Sequence, residues 1–262
     1  MLVAQLLTEL KRAITFRNLF VWITIIALLP LVTFGIKMHG YVFLKPLDVF
    51  FAMLDGFIPL LFPILVIVIY LISFSQEQKN HFILFTRPRI PLNIYILSKG
   101  LINGFLTGAV IFFMVFLSFL FALYIEPHLK LIDYSTMSTM YRGEGRVVTF
   151  SQVLSLGSFT YGVCYSLWVS INAIVYATLA FLLMLLIKST FLALSAPFLF
   201  YHVFNFVTGV FGVPQFSPIS TLFPFNIEQQ PIWTVLLPFI FLLFVLCVLF
   251  FTAIRHQEDW MI

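Results

Sequence analysis

The sequence predicts an all-α integral membrane protein with six transmembrane helices, an amphipathic helix before the first and a broken, re-entrant segment before the last. Three observations carry this. The chain is 62% hydrophobic and 9% charged, whereas a soluble domain is about a quarter charged, so lipid must be the solvent. Apolar runs long enough to cross about 30 Å of hydrocarbon as helices recur along it. The short alternating segments of a transmembrane β-barrel do not.

The first element covers residues 1–18. Val3, Leu6, Leu7, Leu10 and Ile14 fall at i, i+3, i+4 and i+7 spacing, with Gln5, Glu9 and Arg12 opposite. Lys11, Arg12 and Arg17 add positive charge. This pattern suits a helix lying on the membrane surface. A signal peptide is the alternative; against it, the next apolar run is long and no small-residue cleavage site follows.

Span 1 is read at 19–36, span 2 at 47–74 and span 3 at 100–124. A charged break at 75–99 separates spans 2 and 3, and a polar loop at 125–150 follows span 3. Span 4 ends near residue 187, its start left open by a Ser- and Gly-containing stretch at 151–160. Span 5 is read at 191–210 and span 6 at 232–254. Between them Pro214, Pro218, Pro224 and Pro231 break any through-going helix. With the N-terminus inside, Lys and Arg number nine on the inner side (11, 12, 17, 79, 87, 89, 99, 188 and 255) and five on the outer (37, 45, 130, 142 and 146). That bias places both termini in the cytoplasm.

The break at 75–99 interleaves Phe82, Ile83, Leu84 and Phe85 with Glu77, Lys79, Arg87 and Arg89. Aromatic anchors ringed by charge suit a protein interface, and Pro88 and Pro91 suit a sharp turn. The competing reading makes the Phe cluster an anchor at the lipid surface. Inside the spans, Asp48 and Asp55 are expected on one face of span 2, Asp48 as a cap and Asp55 either lining a path or hydrated at the interface. His202 and Asn205 share a face of span 5 and either line the same path or bond to each other or to Asn172. Gly100, Gly104 and Gly108 form a small-residue stripe for close helix packing within the subunit. Cys164 and Cys247 read as apolar packing residues. The chain holds no GxxxxGK[ST], HExxH or GxSxG, and its histidines lack metal-ligand spacing, so no nucleotide, metal or catalytic site is expected in it.

Two stretches together resemble a known family. One runs Leu6-Leu-Thr-Glu-Leu-Lys-Arg12 into Arg17-Asn-Leu-Phe20. The other runs Pro59-Leu-Leu-Phe-Pro63, Ser73-Phe-Ser-Gln-Glu77 and Leu84-Phe-Thr-Arg-Pro88, then Tyr95 and Lys99. They look like the permease subunit of an ABC-2 type ABC transporter. Asn80-His81-Phe82 stands where that family often has a Gly-Thr pair. The resemblance implies a single transmembrane domain over 1–262, with 1–18 as an elbow helix carrying Glu9, Lys11, Arg12 and Arg17. It implies a cytoplasmic coupling segment at 75–99 that docks an ATPase through Glu77, Lys79, Phe82, Phe85, Thr86, Arg87 and Arg89, and an extracellular loop at 125–150. It further implies a second permease subunit, identical or related, and two copies of a separate ATP-binding subunit that holds the ATP and magnesium. The chain itself would be a transport subunit in the plasma membrane, not an enzyme, exporting a hydrophobic or amphipathic cargo, a peptide first. No nucleic-acid partner is expected: the basic residues sit at span ends. The rival expectation is a self-sufficient channel or secondary transporter.

Overall fold

The structure, a computed structural model, describes residues 1–80, 90–132, 134 and 147–256. The described residues are helical with no strand, and six helices are long and apolar enough to cross a membrane. In chain order, α1 is Leu2–Ala13 and α2 is the first span, Phe16–Met38. Next come α3, Pro46–Leu54, and the second span α4, Phe57–Lys79. The third span α5 runs Leu92–Leu129, the fourth, α6, Ser158–Leu186, and the fifth, α7, Thr190–Val210. A short α8, Pro218–Leu222, precedes the last span, α9, Trp233–Arg255.

The helices depart from the expected bounds in several places. Span 2 was expected unbroken over 47–74, but it breaks at Asp55-Gly56, where Gly56 takes φ 93°. Only glycine adopts that backbone without strain. Asp48 and Asp55 stand at the two ends of α3, Asp55 as its C-cap. Asp48 accepts the Leu44 and Lys45 N–H groups at 3.0 Å each, at the start of α3. The break at 75–99 is narrower than expected: α4 continues to Lys79 and α5 begins at Leu92. Likewise α5 runs on past 124 to Leu129, and Glu126, expected in a polar loop, is buried there, accepting from Ile132 N at 3.1 Å and from the Tyr134 hydroxyl. The open start of span 4 falls at Ser158, behind Gly157 at φ 110°.

Several spans contain proline, and each proline leaves a carbonyl one turn earlier without its N–H. A π-turn at Thr24–Leu28, closed by the Leu29 N–H on the Thr24 carbonyl, stands just before Pro30 in α2. In α4, Pro63 frees the Pro59 carbonyl, which accepts the buried Tyr201 hydroxyl of α7 at 2.9 Å. The neighbouring Leu60 carbonyl lies 3.0 Å from His202 Nε2. In hydrocarbon no water can satisfy such groups, so side chains from another span must.

The core is the α5–α6 seam. The Gly100, Gly104 and Gly108 stripe faces Phe181, Ile174 and Ser170 of α6. Ser170 Oγ donates to the Gly108 carbonyl at 2.8 Å, and Asn103 Nδ2 to the Ala177 carbonyl at 3.0 Å. Above the seam Phe50 stands edge-on to Phe119 and Tyr165, ring centroids 5.6 and 5.8 Å apart. The closest approach is at Gly162, whose hypothetical Cβ would stand 2.4 Å from the ring of fully buried Phe119. Between α7 and α9 the proline-rich segment folds into short helical pieces. Tyr165 Oη and Trp168 Nε1 of α6 hold them by donating to the Leu222 and Thr221 carbonyls at 2.6 and 2.8 Å.

Gly162→Ala should therefore lower stability by about 1–3 kcal/mol, the usual cost of overpacking a filled core. Gly35→Ala, with nothing within 4 Å of the new carbon, should leave it unchanged or raised. Thermal unfolding of both variants in one detergent makes the comparison.

Candidate functional site

The strongest concentration of charge within the fold lies where α1 meets the end of α4 and the start of α5. Helix α1 turns a polar stripe, Gln5 and Glu9, into the protein, while Val3 and Leu7 face outward. The amphipathic pattern predicted from sequence is present, but its polar face packs on protein and not on water. The cause is Lys99. Its ammonium is 1% exposed and forms an ion pair with Glu9, itself 1% exposed. It forms a second with Glu77 Oε2 at 2.5 Å.

Further bonds close the cluster. Gln5 Nε2 donates to Glu9 Oε1 at 3.0 Å, and Arg12 Nη1 reaches the same oxygen at 3.4 Å. Tyr95 Oη donates to Glu77 Oε2 at 3.1 Å, and Lys99 Nζ stands 5.4 Å from the Tyr95 ring centroid. Two carboxylates face one ammonium and one guanidinium, so the cluster is neutral overall. That balance is what permits its burial, since an unpaired ion there would cost several kcal/mol.

The ordering of these residues follows from the local sequence. Glu9 falls one helical turn after Gln5 and one before Ala13, the other inward positions of α1. Tyr95 and Lys99 lie four apart on α5, and Pro91 starts that helix as its N-cap. Beside the cluster, Trp22 Nε1 donates to the Ile69 carbonyl at 3.0 Å and Arg17 Nη2 to Ser73 Oγ at 3.3 Å. These bonds fasten α2 to the same end of α4.

The sequence-derived docking set divides. Glu77 points into the bundle at Lys99, and Lys79 is exposed at the end of α4. Phe82, Phe85, Thr86, Arg87 and Arg89 lie outside the described residues. Of the α1 set, Glu9 is buried while Lys11, Arg12 and Arg17 remain at the surface.

The residues considered for a path do not converge. Asp55 sits at the opposite end of the bundle, bound to Lys37 Nζ at 2.6 Å and Asn226 Nδ2 at 3.1 Å. Burial acts to raise its pKa, but the hydrogen bond and charge of Lys37, with Asn226 and the Gly56 N–H, outweigh it and hold the carboxyl below its usual range. His202 meets the Leu60 carbonyl, and Asn205 Oδ1 accepts from Ile219 N at 2.9 Å. Asn172 donates to Trp168 O, so none of the three bonds to another. The buried Lys99 pairing is the feature that sequence reading missed. Its signal was a lysine at the head of an apolar run, a turn beyond a tyrosine.

Among the described residues no group of His, Cys, Asp or Glu side chains could hold a metal ion. No family model, curated protein or solved structure matches the chain.

Removing the charge of Lys99 alone, as Lys99→Met, should cost about 3–5 kcal/mol by leaving the buried Glu9 carboxylate without its ammonium, close to the part-buried Glu77. Adding Glu9→Gln and Glu77→Gln should restore most of that stability, as read by unfolding of the purified variants. At the other end, Asp55 has a depressed pKa, so its contribution is complete above the ordinary value of 3.8 and is lost as pH falls through the lowered one. Wild type should lose more thermal stability than Asp55→Asn on acidification across that window.

Proposed function

We propose that this chain is the membrane-spanning permease subunit of an ATP-driven exporter of the ABC-2 type. The observation that carries the reading is the fastening of α1 to both sides of the 80–91 connection. Glu77 closes α4 before that connection, Tyr95 and Lys99 open α5 after it, and Glu9 ties Lys99, and through it Glu77, to α1. A displacement of the connection would reach α1 and two spans together through one buried ion cluster.

In this reading both termini and the 80–91 connection face the cytoplasm of the cell from which export runs, and the chain sits in the plasma membrane. Helix α1 is the elbow helix, and the proline-rich segment before α9 re-enters from the outer side. Two separate ATPase subunits bind ATP and magnesium and dock on 75–99 through Lys79 and the aromatic and basic residues up to Arg89. Glu77 serves the internal linkage. A second permease subunit, a copy or a relative, completes the path. The cargo is hydrophobic or amphipathic, a peptide first, which suits a chain whose spans carry few charges. The engagement of Asp55 by Lys37 and Asn226 argues against a lone carrier built on that acid.

Purification of the tagged chain from its native cells in mild detergent should recover a stoichiometric subunit with a phosphate-binding loop. Charge reversal at Arg87 and Arg89 should abolish that association and transport while leaving membrane insertion intact. A chain that purifies with no ATPase, even after cross-linking, overturns the reading in favour of a self-sufficient channel or secondary transporter.

A further inference from the structure

A cavity of about 230 Å³ lies between α6, α7, α9 and the short helix α8. Tyr176, Phe200, Phe204, Phe239 and Leu242 form most of its wall. Four side chains with polar groups line it, Asn172, Tyr176, Thr208 and Thr221, and three of them donate to backbone one turn away. Asn172 Nδ2 donates to Trp168 O at 2.9 Å, Thr208 Oγ1 to Phe204 O at 2.9 Å and Thr221 Oγ1 to Ser217 O at 3.0 Å. The rest of the lining is hydrocarbon and aromatic ring. Apolar cavities of about 150 Å³ stay dry and take apolar ligands, and this one is larger with a mostly apolar lining.

The cavity has a mouth. Leu237 and Phe241 of α9 line it while remaining 54% and 42% exposed. The opening therefore runs sideways, along α9 and beside α7, the two spans with the least protein cover, 17% each. A lateral opening in a membrane span meets lipid tails. Depth points the same way. Trp233, exposed at the start of α9, suits the aromatic belt at the membrane boundary. Leu237 and Leu242 lie about 6 and 14 Å below it along the helix axis, within the half-thickness of the hydrocarbon, about 15 Å. Hydrocarbon chains occupy that depth, and headgroups do not.

We propose that this cavity is a binding site for one acyl chain of a bilayer phospholipid, which enters beside α9 with its headgroup at the level of Trp233. The site rests on the packing of α6 to α9 and stands whether or not the chain is an exporter.

The test uses the whole chain in phosphatidylcholine vesicles doped with phosphatidylcholine carrying a diazirine midway along one acyl chain. After irradiation, adducts mapped by mass spectrometry should concentrate on 200–208 and 237–242. They should exceed those on Phe250, an exposed residue further along α9 and outside the cavity. Leu237→Trp narrows the mouth from an exposed position; it should cut cavity labelling several-fold and leave Phe250 unchanged. A second measurement needs no variant: a diazirine next to the headgroup should label near Trp233 and spare Phe204 and Leu242. Cavity labelling no greater than at Phe250, labelling untouched by Leu237→Trp, or equal labelling by both probes would overturn the site.

Discussion

Lys99 carries an ammonium group at 1% exposure, in a chain whose surroundings are hydrocarbon and packed side chains. An isolated charge there would be expelled or neutralised, so the fold must bring carboxylates to it. Glu77 comes from the end of the preceding span and Glu9 from a helix that begins the chain. This requirement turns the polar stripe of α1 inward and leaves Val3 and Leu7 outward. A segment that would otherwise float on the bilayer surface becomes part of the bundle. It also holds the end of α4 against the start of α5, the two ends that bracket the proposed docking connection.

The same rule, that polar groups in hydrocarbon must find partners within the protein, explains much of the remaining architecture. Lys37 ends the first span, and Asp55 and Asn226 answer it at the far end of the bundle. The carbonyl freed by Pro63 is taken by Tyr201, and His202 meets its neighbour. His202 is thereby a structural partner of a proline-bearing helix, and Asn205 holds the N-terminus of α8. The few polar side chains within the spans mostly repair backbone, which leaves little polar surface for a hydrophilic path inside one subunit.

Rigidity is distributed unevenly. The α5–α6 seam is close-packed, glycine against Phe, Ile and Ser, with hydrogen bonds across it. Helices α7 and α9 have far less protein cover and enclose the apolar cavity between them and the seam. In the exporter reading, the dense pair carries force from the buried ion cluster, and the thinly covered pair meets lipid or a second subunit.

The membrane class, the number of spans and most of their ends were legible from composition, run length and prolines, because the exclusion of charge from hydrocarbon acts on each segment alone. The periodicity of residues 2–13 likewise announced a two-faced helix, and the glycines of α5 a close contact. Which way the two-faced helix turns was not legible, since that depends on a lysine ninety residues further along the chain. The break at Gly56 was hidden because apolar residues resume on both sides of Asp55-Gly56, and its positive φ and the Lys37–Asp55 pair reveal it. Local physics is written in consecutive residues. The pairing of buried charges, the filling of proline-freed carbonyls and the cavity beside α9 arise between residues far apart in sequence, and packing alone assigns them.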